Sequence, residues 1–158
     1  MSEITENAAL EMTNVLSYRS KSTQSQLAMA SKEIDELLKN NDAKKVGSSV
    51  SATFAIDTTG SEPMLDVEIL IPLDKEISVS APYMIKPVFR LRNAVKIRHK
   101  GNPALMQNTA NELMEYIKNK GLMPITAGYN VTVQEPTSPT DVDSLIVDIY
   151  VGVSDNIL

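Results

Sequence analysis

The chain has 158 residues, 42% of them hydrophobic and 22% charged, a composition that suits an ordinary globular domain and excludes a disordered tail or a collagen-like repeat. It has no cysteine and a single histidine, which excludes disulfides, thiolate chemistry and Cys- or His-clustered metal sites, so no metal and no cofactor is expected. Fifteen basic residues against twenty acidic ones give a net charge of −5, which disfavours nucleic acid and anionic membranes as partners; with no membrane-length apolar run and no signal-peptide pattern at Met1-Ser2-Glu3-Ile4, the expected location is cytoplasmic.

In chain order, Met12 to Arg19 alternate with a period of two, as a strand does. Thr23 followed by Gln26 is a capping-box signature, and Leu27, Ala30, Ile34, Leu37 and Leu38 recur at helical spacing, which predicts a helix from about Ser25 to Asn40. Asn40, Asn41 and Asp42 end it. Val50, Ala52, Phe54 and Ile56 alternate in a second strand, Thr58-Thr59-Gly60-Ser61 turns the chain, and Leu65, Val67, Ile69, Ile71 and Leu73 mark a third strand with Pro72 confined to an end or an edge. After a linker of about 74–87, Phe89, Leu91, Val95 and Ile97 begin a strand with room for a bend at Asn93. Asn102-Pro103 is a helix start, Leu105, Thr109, Leu113, Tyr116 and Ile117 form its buried stripe, and Gly121 can close it in a left-handed conformation. Tyr129, Val131 and Val133 alternate in another strand. A loop from Pro136 to Ser144 then leads to the last strand, Leu145 to Val153.

The two halves carry the same order of elements, and sliding the chain against itself by 79 residues places Arg19 on Arg98, Lys21 on Lys100, Glu33 on Glu112 and Lys39 on Lys118. The prediction is one α+β domain over 1–158. It is built from tandem strand-helix-strand-strand repeats, about 12–73 and 88–153, with antiparallel sheets, helices on one face and a pseudo-twofold relation that leaves a groove.

Three further stretches stand out: Arg98-His99-Lys100-Gly101-Asn102-Pro103 before a helix, Gly128-Tyr129 opening a strand, and Leu145-Ile146-Val147-Asp148-Ile149-Tyr150-Val151 at the end. With the paired strand-helix-strand-strand order they resemble the GyrI-like small-molecule-binding family, the effector-binding domains of bacterial AraC- and MerR-type regulators. The resemblance implies a bacterial ligand-binding module whose closing strand turns an acidic residue toward the ligand groove. Asp148 stands there in place of the usual glutamate, Gly152 replaces the usual proline, and Glu68 holds the equivalent place in the first half. Residues 1–11 are too short for a helix-turn-helix, so a stand-alone module is expected. The chain departs from the family in lacking tryptophan and having only 4% aromatic residues, which thins the stacking surface such pockets use for cationic ligands.

Strand alternation puts Asp148 and Tyr150, with Glu68 and Leu70, on the face opposite Val147, Ile149 and Val151. These four are the candidate ligand-binding residues. A carboxylate beside apolar surface attracts a cation, and the same residues also suit a solvated sheet face. Arg90, Arg92, Lys96 and Arg98 share one parity and read as a basic row for phosphate or for internal charge pairing, and His99 reads as a loop or capping residue. No nucleophile elbow, P-loop or dinucleotide glycine pattern occurs, which favours a non-enzymatic protein. Three functions fit, in this order: a module holding a small organic ligand, cationic by the charge of its acids, in the groove between the repeats; a protein-interaction module that offers an exposed sheet face to a partner; and hydrolysis by a water activated on one of the acids.

Overall fold

The computed structural model describes residues 3–138 and 140–154. The strands are β1 (Ile4–Ser22), β2 (Val50–Asp57), β3 (Met64–Pro72), β4 (Tyr83–Lys100), β5 (Met123–Gln134) and β6 (Ile146–Ser154), with helices α1 (Gln24–Asn40) and α2 (Met106–Asn119). The fold is α+β with antiparallel pairing, in two compact units. No helix among the described residues is long and apolar enough to cross a membrane.

The unit of residues 12–89 holds the second part of β1, α1, β2, β3 and the start of β4. β3 lies between β1 and β2, with Ser17 opposite Leu70 and Arg19 opposite Glu68 on one side, and Val50 opposite Leu70 and Ala52 opposite Glu68 on the other. α1 begins as its capping box dictates: the Thr23 hydroxyl accepts the Gln26 amide proton at 3.3 Å, and the Gln26 side chain accepts that of Thr23 at 2.9 Å. Its Ile34 and Leu38 pack on Leu16, Ile71 and Leu73, so the helix covers one face of the sheet.

The other unit holds residues up to Glu11, the rest of β4, α2, β5 and β6. Here β6 is central, with Arg98 opposite Asp148, Lys96 opposite Tyr150, Tyr129 opposite Tyr150 and Val131 opposite Asp148. Leu113 and Ile117 of α2 pack on Val95, Ile97, Val147, Ile149 and Val151. Strand order within the unit is therefore the same as in its counterpart. The irregularities repeat at the same offset: the pairing slips between Thr53 and Ala55 and between Thr132 and Gln134. Left-handed residues follow both helices, Asp42 with φ 53° and Gly121 with φ 71°. The duplication read in the sequence is thus present in the backbone.

The structure corrects four local expectations. β1 begins at Ile4, well before Met12, and residues 83–87 of the expected linker are strand, because the long strands β1 and β4 each supply residues to both units. Leu105 is not in the helical stripe; Pro103–Leu105 form a single 3-10 turn ahead of α2, and the leucine is 52% exposed. The basic row is not one row. Asn93 has φ 52°, which breaks the alternation of the strand, and Leu91 beyond it packs beside Gly152 on the face that carries Lys96 and Arg98. Arg90 and Arg92 therefore point to the opposite side.

The last correction concerns solvent. Leu70, Glu68 and Asp148 are 0%, 6% and 4% exposed, so in each unit the sheet face opposite the helix is closed at these positions rather than wet.

Candidate functional site

Alternation on β6 places Asp148 and Tyr150 away from α2, as expected, and β4 supplies the side chains that meet them. The Arg98 guanidinium grips Asp148 with two bonds, Nε to Oδ1 at 2.8 Å and Nη2 to Oδ2 at 3.0 Å. This paired geometry satisfies both carboxylate oxygens, and it is why so short an acid tolerates burial. The bond to Asp148 in turn holds Arg98 protonated beyond the ordinary guanidinium. Lys96 stands further off, its Nζ 4.0 Å from Asp148 Oδ2 and 5.8 Å from the Tyr150 ring centre. Burial first, and the Asp148 charge second, push the Tyr150 phenol up from its usual range, so it stays neutral and able to donate a hydrogen bond.

The register lines these groups into rows. Arg98, Asp148 and Val131 form one cross-strand row, and Lys96, Tyr150 and Tyr129 form the next. The second row is half-buried throughout, so it forms the accessible part of this face over the buried acid.

In the other unit the equivalent row is Ser17, Leu70 and Val50, and all three are buried. Beside it the Ser17 hydroxyl donates to Glu68 Oε2 at 2.6 Å, and Lys86 Nζ donates to the same oxygen at 2.7 Å. Arg19, the counterpart of Arg98, turns instead to Asp66, with bonds of 3.0 and 3.1 Å, and lies 4.0 Å over the Phe54 ring. Of the four candidate residues, the structure brings Asp148 and Tyr150 together in one unit and Glu68 and Leu70 in the other. Leu70 is enclosed and Glu68 is matched by its own lysine.

Three partners are not legible as such in the chain. Lys96 and Arg98 read as a surface row because the chain gives no sign of which acid each meets across the sheet. Tyr129 reads in the sequence only as part of a strand. The signal that finds all three is the cross-strand register, which follows once β4, β5 and β6 are aligned.

His99 closes β4 and is buried. Its Nε2 lies 3.0 Å from the Asn102 carbonyl, which can only accept, so Nε2 carries a proton; Nδ1 then faces the Thr109 hydroxyl at 2.7 Å. The residue ties the strand end to α2. An open polar cleft of about 470 Å³ beside it is lined by Lys100, Asn108 and Glu112, and a cleft of about 320 Å³ lined by Lys21, Met29 and Glu33 occupies the equivalent place in the other unit. No cluster of potential metal ligands occurs among the described residues.

No protein-family model and no curated protein matches the chain. Solved structures do. EcmrR in its complex with DNA superposes with a TM-score of 0.77 at 16% identity, over 99% of this chain and 58% of that one, so the chain spans little more than half of the EcmrR chain. The C-terminal domain of EcmrR alone gives a TM-score of 0.76 at 16% identity, with 99% of both chains covered. A hydrolase from Listeria innocua is more distant, with a TM-score of 0.54 at 13% identity over 97% of this chain and 91% of that one. Together with the repeated strand-helix-strand-strand units and their antiparallel order, these likenesses establish that the chain has the GyrI-like fold.

Proposed function

We propose that this chain is a cytoplasmic, non-enzymatic module that binds a small organic molecule on the Lys96-Tyr150-Tyr129 row, with Asp148 as the buried anchor beneath it. The observation that carries the reading is the contrast between two equivalent rows: Ser17, Leu70 and Val50 fill theirs with buried side chains, whereas Lys96, Tyr150 and Tyr129 leave theirs partly open. A pair of tyrosines beside a cation offers ring faces and hydrogen-bond donors together, the mixture found in small-molecule sites. The GyrI-like fold supports the same reading, since the resemblance in the closing strand implies ligand binding at Asp148. On this reading Glu68 and Leu70 form the closed counterpart of the site.

A dye-displacement screen of small aromatic compounds, followed by calorimetric titration of the hits, tests it. Tyr150→Ser should weaken binding about two- to tenfold through loss of ring contact, with the circular dichroism spectrum unchanged. Hits whose affinity is indifferent to Tyr150→Ser would remove the row from consideration.

A further inference from the structure

We infer that the molecule held on the Lys96-Tyr150-Tyr129 row is an organic anion, an aromatic or amphipathic carboxylate or sulfonate, and not the cation that the acids suggest in the sequence. The inference rests on the binding role proposed for this row and adds the sign of the ligand's charge.

The charges gathered around Asp148 are unequal in number. Both of its oxygens are taken by Arg98, at 2.8 and 3.0 Å. The Lys96 ammonium lies 4.0 Å from the carboxylate, outside hydrogen-bonding distance, with its side chain 27% exposed. Among the described residues two cations thus face this one acid, and the second makes no side-chain hydrogen bond there. Tyr150 adds no negative charge, because burial keeps its phenol protonated. Glu3, the other acid acting on Arg98, is exposed, so solvent and salt screen it. The other unit differs: Glu68 meets one lysine at 2.7 Å and a hydroxyl at 2.6 Å, so its charges balance.

A cation arriving at the row would meet Lys96 first. To reach Asp148 it would have to displace Arg98 and leave a guanidinium without its acid, which is costly at a half-buried position. An anion instead completes the hydrogen bonding of Lys96. Neighbouring side chains across a sheet stand roughly 5 Å apart, so the row from Lys96 to Tyr129 spans about 10 Å, the length of one or two aromatic rings carrying an acid at one end.

Tetraphenylborate and tetraphenylphosphonium share shape and size and differ in the sign of charge, which makes them suitable probes of the full chain. Calorimetry should show the borate binding at least tenfold more tightly, and Lys96→Met should remove most of that preference while leaving the phosphonium unweakened. Lys96→Gln, which keeps a polar end, should behave as Lys96→Met does. NMR resonances of the Tyr150 ring should move on binding, which places the ion on the row. Equal or stronger binding of the phosphonium, with the Tyr150 signals moving, would overturn the anion and leave the binding role standing. Silence of both ions at Tyr150 would overturn the two together.

Discussion

Asn14 and Asn93, 79 residues apart in the chain, each place a left-handed residue inside a strand, with φ of 51° and 52°. Asparagine tolerates this conformation because its short amide bonds locally, and here Asn93 Nδ2 donates to the Val153 carbonyl at 3.1 Å. The positive φ there breaks the alternation of β4, so Arg92 lies on the side away from Lys96 and Arg98.

Asn93→Val should destabilise the fold by about 2–3 kcal/mol, since a β-branched side chain is strained at positive φ and the bond to Val153 is lost. Asn93→Gly relieves the strain, loses only the bond, and should cost about 1 kcal/mol. Urea denaturation measures both. Equal losses would show that the backbone conformation is not what the asparagine supplies.

The Arg19 guanidinium, by hydrogen bond first and by charge second, holds the Asp66 carboxyl below its ordinary value of 3.8. A carboxyl depressed in the folded state contributes stability that is present above the unfolded pKa and disappears as pH falls through the folded one. The pair is open to solvent, so the expected stability effect is small and the direct readout is the titration itself. Arg19→Ala should move the Asp66 carbonyl-carbon NMR titration upward toward the ordinary carboxylate range. An unmoved midpoint would mean that the ion pair does not form in solution.

Gly152 stands where the resembled family has proline. A Cβ at this position would lie 2.9 Å from Leu91 Cδ1 and 2.9 Å from Thr126 Cγ2, and the Gly152 amide donates to Thr126 Oγ1 at 2.9 Å. Gly152→Ala should therefore cost about 1–3 kcal/mol by overpacking. Gly152→Pro also loses the donor and should be the more damaging change. Denaturation midpoints that leave Gly152→Ala level with the parent would show that Leu91 and Thr126 can move aside.

Local chemistry made much of the fold readable in the chain. The capping box at Thr23, the Asn102-Pro103 start, the left-handed Gly121 and the alternation of Val147, Ile149 and Val151 each depend on neighbours within a few residues, so the sequence carries them directly. The repeat was legible for the same reason, because it compares one local pattern with another. The ends of β1 and β4 were not: weak alternation at residues 4–11 and 83–87 becomes strand only through pairing partners far away in the chain.

For the site, strand alternation alone puts Asp148 and Tyr150 on one face, since a period of two leaves no alternative. Tertiary structure decided what that face means. Only cross-strand register brings Arg98 onto both oxygens of Asp148 and leaves Lys96 without such a bond. An acid read in isolation attracts cations. Two cations gathered around one buried acid reverse that sign, because the field at a site is the sum over neighbours supplied by several strands, and no single segment contains that sum.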